Sequence, residues 1–190
     1  MIWVSILLLF QLDPETQRSF NQFFEHSSRF KVNFIQVTES PFLDSSQASG
    51  ILSISQPGRL RMVYLQGEEK TIICDGTTYC EDDHLAEIRT CTPLADIKND
   101  PLVRVLLFGH HIETFFLVDC YKSEEGADIY RLRPREKSEF HLEISFNEKW
   151  QPLTMAIVST EGERTQFTFS GFEINPKFPK DWFVIPATDY

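Results

Sequence analysis

From Leu52 to Tyr64 apolar and polar side chains alternate on either side of Pro57-Gly58. Leu52 and Ile54 point one way, Ser53 and Ser55 the other. Past the turn, Leu60, Met62 and Tyr64 alternate with Arg59, Arg61 and Val63. Period two broken by a turn predicts two antiparallel strands, Gly50 to Gln56 and Arg59 to Gln66. The same alternation sets Phe30, Val32 and Phe34 against Lys31, Asn33 and Ile35. "EEKTIICDGTTYCEDD" predicts a tight hairpin turning at Asp75-Gly76, and "HLAEIRTC" a further short strand. Strand patterns resume from Ile112 to Tyr121, Asp128 to Pro134, Glu139 to Asn147, Pro152 to Thr160 and Glu163 to Glu173.

Two stretches have helical spacing instead. In "DPETQRSFNQFFEHSS", Asp13 suits an N-cap, Pro14 the first helical position and Glu15 the first turn, and Phe20, Phe23 and Phe24 form an i, i+3, i+4 stripe. In "TPLADIKNDPLVRVLLFGHH", Thr92, or Asn99 and Asp100, can cap short helices begun by Pro93 and Pro101. Leu102, Val103, Val105 and Leu106 give an apolar turn and a half, and Gly109 suits a helix stop.

About ten or eleven strands against two or three helices predict a mainly β (α+β) chain built on one strongly curved antiparallel sheet. A sheet that wide curls or closes. Its concave face is either filled by its own side chains or leaves room for a ligand, and periodicity does not separate the two. Residues 13–190 are expected to form a single domain, with no linker and no repeat. Before it, "MIWVSILLLF" is too short to span a bilayer and suits the apolar region of a secretory signal. Residues 1–12 are therefore expected to be a signal-like segment, the other reading being a buried N-terminus.

Seventeen Phe and 42% hydrophobic residues supply a core. The net charge of -10 argues against nucleic acid or anionic membrane as the main partner. Arg59 and Arg61 with Arg131, Arg133 and Arg135 are the candidates for a local basic patch, against the plainer expectation of solvated strand faces. Cys74, Cys80, Cys91 and Cys120 contain no C-x-x-C and lack a His at zinc-finger spacing, so no metal site is expected. One or two disulfides, or four buried thiols, remain open, and the pairing is not fixed by sequence. His110 and His111 are neighbours that face opposite sides of an extended chain, and they are expected in a surface loop. Asp82, Asp83 and His84 are expected at a hairpin tip. Asp119 beside Cys120 makes no nucleophile constellation. With no nucleotide, nucleophile-elbow or zinc-protease motif, neither catalytic residues nor a cofactor is expected.

Taken in order, several pieces carry a resemblance: "FKVNFIQ"; "SGILSISQPGRLRMVY"; "IICDGTTYC"; "TPL" before the mid-chain helices; and "FEINPKFPKDWFVIP" near the end. Each is weak alone, but their order and spacing from about Phe20 to Pro186 resemble the periplasmic outer-membrane lipoprotein carrier family, LolA. The resemblance implies an incomplete antiparallel β-barrel lidded by helices. It implies a periplasmic, non-enzymatic carrier, expected to be monomeric, that shields the acyl chains of lipoproteins. Such carriers run between an inner-membrane ATP-driven lipoprotein-releasing transporter and an outer-membrane receptor. The alternative is a periplasmic lipid-binding sensor or interaction domain on the same fold; a sensor is expected to carry a further domain or anchor, and a chain stopping at Tyr190 favours the carrier expectation.

Each buried methylene contributes about 0.8 kcal/mol, so acyl cargo needs a large apolar hollow, roughly 300–1,000 Å³ by the measure of ligand pockets. On the resemblance, the expected lining on the early strands is Phe30, Val32, Phe34, Leu52, Ile54, Leu60, Met62, Tyr64 and Ile72. On the late strands it is Leu142, Ile144, Phe167 and Phe169. Lid contacts are expected from Phe20, Phe23, Phe24, Leu94, Leu102, Leu106 and Leu107. Relatives place an Arg before the strand-linking Pro as a latch on the lid. This chain has Gln56 there, which keeps donors but loses charge and fork geometry, with Arg59 and Arg61 nearby.

Overall fold

Residues Asn21, Phe23, 27–123 and 126–187 are described by a computed structural model of the chain. The signal-like segment, most of the expected first helix, and Phe20 and Phe24 lie outside the described residues. The strands are β1 (Arg29–Glu39), β2 (Ser46–Ser55), β3 (Arg59–Gln66), β4 (Lys70–Asp75), β5 (Thr78–Asp83), β6 (Ile88–Pro93), β7 (Phe116–Lys122), β8 (Asp128–Pro134), β9 (Phe140–Phe146), β10 (Pro152–Ser159) and β11 (Arg164–Ile174). They form one sheet in the order β6-β5-β4-β3-β2-β1-β11-β10-β9-β8-β7, paired antiparallel throughout.

That order sets the architecture. Successive strands are neighbours everywhere except at the β1–β11 seam, so β6 and β7, consecutive in the chain, lie on opposite edges. The chain between them must cross the whole sheet. It does so as three short helices, α1 (Leu94–Ile97), α2 (Pro101–Phe108) and α3 (Ile112–Phe115), packed on the apolar face. Leu94, Val105, Leu107 and Ile112 join Phe30, Val32, Ile54, Leu132 and Leu142 in one core.

Helix α2 starts where Asp100 Oδ1 accepts hydrogen bonds from the Leu102 and Val103 N–H groups (2.8 and 3.0 Å), with Pro101 next. It stops at Gly109, in the left-handed region at φ 67°. Thr92 is no cap: it lies in β6, and Pro93 precedes α1 without a side-chain cap. The expected strand from Ile112 begins instead as α3, because the turn must bring the chain from the roof down to the edge. β7 starts only at Phe116.

The outer face is partly covered too. Residues 175–187 lie against β3 and β6: Arg61 donates to the Trp182 carbonyl (2.9 Å) and sits over its ring, and Arg89 donates to the Pro186 carbonyl. Outward-facing Ile73 and Cys80 are consequently buried. Cys80 is disulfide-bonded to Cys91 on the facing strand, while Cys74 and Cys120 are free thiols, buried and exposed. Asp82 is not a tip residue: it is buried in β5 and paired with Arg89, whereas His84 is exposed in the turn. His110 and His111 are exposed in the loop before α3.

The strand arginines are stitched rather than gathered into a basic patch. Arg133 pairs with Asp119. On the outer face of β7–β11, Glu143 accepts from Tyr121 Oη (2.9 Å), Arg131 Nη2 (3.1 Å) and Arg164 Nη1 (2.7 Å). Burial alone would raise its carboxyl. The hydrogen bonds, from Arg164 first, outweigh burial and hold it at about 2, below the ordinary 4.5. A depressed carboxyl adds stability above its unfolded value and loses it as pH falls toward the folded one. Urea unfolding at pH 7 should find Glu143→Gln destabilised by about 1–2 kcal/mol, a figure that allows for solvent around the arginines. The gap should shrink between about pH 4.5 and 2; a gap independent of pH would contradict this account of the stitch.

Candidate functional site

Beneath the roof lies a wholly apolar cavity of about 50 Å³. Phe30 and Val32 of β1, Leu52 of β2, Leu142 and Ile144 of β9 and Phe169 of β11 form its sheet wall. Phe23, Leu102 and Leu106 close it from the roof. Each of these nine stands among the expected lining or lid residues. Its size does not match the expectation: several hundred cubic ångströms were expected, and α2 and α3 fill most of that space with their own side chains. Sequence periodicity tells which way a side chain points, but not what stands opposite it.

The remaining expected residues fall in two groups. Ile54, Leu94 and Leu107 are buried in the core without touching the cavity, and Leu60 packs half-buried against it. Phe34, Phe167, Tyr64, Met62 and Ile72 continue the inner face away from the roof. Phe34 is 2% exposed and meets Tyr64 and Phe167 edge-on (ring centroids 5.2 and 5.9 Å). Phe167 stacks on Phe169. Met62, Tyr64 and Ile72 are only half-buried. Burial, then the charges of Glu68 and Glu81, push the Tyr64 phenol well above its ordinary value.

Several lining residues were not expected. Val105 belongs to the same i, i+3, i+4 stripe as Leu102 and Leu106, so helical spacing carried its signal. Phe116, Leu132 and Met155 alternate on foreseen strands, and only the strand register selects them. Phe172 depends on a bulge. The β1–β11 register shifts between Lys31 and Asn33, and Gly171 adopts φ 68°. Phe172 therefore joins Phe169 at the cavity. That left-handed backbone conformation favours glycine at 171, where a side chain would be strained.

Polar contacts tie the roof at several points, the Leu94 N–H to the Thr77 carbonyl and Arg135 to the Glu113 and Phe115 carbonyls among them. The last carbonyls of α2 need partners outside the helix, and the β2–β3 turn supplies them. Gln56 Nε2 donates to the Leu106 carbonyl (3.0 Å) and the Gly58 N–H to that of Leu107 (2.7 Å). Gly109 presses on the same amide: a Cβ there would sit 2.7 Å from Gln56 Oε1. Asn21 accepts from the Ile112 N–H and donates to Glu113. Of the three latch candidates, then, Gln56 reaches the roof, Arg61 is engaged on the opposite face by Trp182, and Arg59 is exposed beside the Gly76 turn. Among the described residues no group of three or more His, Cys, Asp or Glu could hold a metal ion, and no helix is long and apolar enough to cross a membrane.

An open sheet roofed from edge to edge over an apolar hollow places the chain among the LolA-like half-barrels. A sequence profile of the family described as "Outer membrane lipoprotein carrier protein LolA" matches residues 25–186. The chain belongs to that family. It is 29% identical over 157 residues to the outer-membrane lipoprotein carrier protein of Methylibium petroleiphilum, covering 80% of this chain and 76% of that one. It is 28% identical over 174 residues to that of Nitrosospira multiformis, covering 87% and 81%. Among solved structures, MucB superposes with a TM-score of 0.51 at 16% identity over 94% of this chain and 65% of that one. A DUF1329 family protein from Desulfovibrio piger does so with 0.51 at 7% identity, over 89% and 96%. At these identities the two structures share the fold.

The latch has a direct test. Gln56→Ala removes one hydrogen bond to the roof, a loss of about 1 kcal/mol. Native-state amide exchange across α2 should accelerate about fivefold while β1 is unaffected. Unchanged exchange in α2 would show that Gln56 does not hold it.

Proposed function

We propose that this chain is a periplasmic carrier that shields the acyl chains of lipoproteins on the inner face of its sheet. It takes them as a monomer from an inner-membrane ATP-driven transporter and yields them to an outer-membrane receptor. The observation that carries the reading is the apolar cavity: it has no polar wall, and the sheet and the roof share its lining. Family membership supports the same reading.

The physical chemistry fits transport. A hollow of about 50 Å³ holds no long acyl chain, so cargo enters by displacing the roof. Leu102, Val105 and Leu106 then leave contacts that the cargo methylenes replace. Exchange of one apolar surface for another is nearly neutral in free energy, which lets a carrier both load and release. On opening, the Gln56, Gly58 and Asn21 hydrogen bonds to the roof pass to water, each at a net cost of about 1 kcal/mol.

A fluorescent fatty-acyl probe should bind the purified protein saturably. Phe169→Glu, on the half-buried sheet wall that stays in place when the roof moves, should weaken probe affinity at least tenfold while leaving the sheet folded by circular dichroism, since burying a charge costs several kcal/mol. Saturable binding that Phe169→Glu leaves intact would remove this wall from the binding face. Absence of binding to the folded wild-type protein would remove the carrier reading.

A further inference from the structure

The inner face has a second part outside the lining of the cavity. On β3–β5, Met62, Tyr64, Ile72 and Tyr79 stand half-buried on the inner side. They connect to the cavity by a run of rings: Tyr64 on Phe34, Phe34 on Phe167, Phe167 on Phe169, which lines the cavity. Unlike the cavity, this part carries charge. Glu81 sits on the same face, next to Ile72 in the β4–β5 register, and accepts from Tyr79 Oη at 2.6 Å. Among the described residues no Lys, Arg or His pairs with Glu81. The nearest ammonium on this face, Lys70, is bound to Glu68 (3.2 Å) and lies over the Tyr64 ring.

At the ends of these strands the β3–β4 and β5–β6 turns flank a separate groove of about 620 Å³, which shares Lys70 and Asp83 with the inner face. Its walls carry Glu68, Glu69 and Asp83 against Lys70, with Leu65 and Leu85 exposed at 63% and 80%. Apolar side chains, aromatic faces and an excess of carboxylates together match one kind of occupant, an extended segment with both apolar and cationic side chains. Carboxylates attract its ammonium groups, and tyrosine faces add cation–π attraction.

We propose that this open part of the inner face, from Tyr79 and Glu81 to the Leu65–Leu85 groove, binds a lysine-bearing peptide segment of the acylated cargo. The inference rests on the carrier reading and extends it: the chains go under the roof, and the polypeptide that bears them leaves over Glu81 and Asp83. An anionic cargo segment is disfavoured by the same carboxylates, so the groove grades cargo by charge.

The test uses the full chain and two palmitoylated pentapeptides, one with two lysines and one with two glutamines. Each competes against a fluorescent acyl probe at low salt. The lysine peptide should bind about tenfold more tightly. The double variant Glu81→Gln/Asp83→Asn should reduce that advantage to under twofold and leave the glutamine peptide unchanged. Glu148→Gln/Glu161→Gln, an equal loss of charge elsewhere on the surface, should retain it. Equal binding of both peptides by the wild type, or an advantage the first variant does not reduce, overturns the proposal. Failure of both peptides and the probe overturns the carrier reading itself and this inference with it. If hexadecylamine outcompetes hexadecanol while the two peptides bind alike, the groove takes a lipid amine, and the peptide assignment is wrong.

Discussion

An eleven-stranded sheet with one apolar face must cover that face, and here the sheet does not close on itself to do so. The cover comes from connectivity. Because β1 and β11 pair at the centre, β6 and β7 become opposite edges, and the 22-odd residues between them have nowhere to go but across. Only short helices fit the span while presenting Leu94, Val105, Leu107 and Ile112 inward. The roof is thus a connection first and a lid second. Its helices are too short to satisfy their own ends, and their N–H and carbonyl groups bond instead to the β2–β3 turn, Asn21, Thr77 and Arg135.

The consequence is a division of the inner face. Under α2 and α3 it is dry and nearly filled; beyond them, on β3–β5, it is half-open and ringed by tyrosines and carboxylates. Rigid features lie elsewhere. The Glu143 cluster ties β7, β8, β9 and β11 on the outer face, and residues 175–187 cover β3 and β6 behind the open part.

Much of this shell was legible in the sequence. Alternation at Phe30–Phe34 and Leu52–Tyr64 located β1 to β3, Asp75-Gly76 located the hairpin, and Asp100-Pro101 with Gly109 bounded α2. Legibility ended where a side chain's meaning depends on a distant neighbour. Ile112–Phe115 reads as strand by residue type, and only the descent from the roof makes it helical. Ile72, Ile73 and Cys74 read only as one arm of a hairpin; that the chain's last described segment covers the outer side of this part of the sheet required the structure. Gln56 was legible as an uncharged substitute in a latch position; that its amide still reaches the Leu106 carbonyl required the turn geometry.

The account depends on the roof leaving the hollow when acyl chains enter. Pulsed electron-spin distance measurement between labels at Asn99, beside α2, and Thr168, on the outer face of β11, tests it most directly, in a Cys120→Ser background that removes the exposed thiol. Saturation with a palmitoylated peptide should shift the distance distribution by several ångströms. Saturable binding with an unmoved distribution would contradict the account.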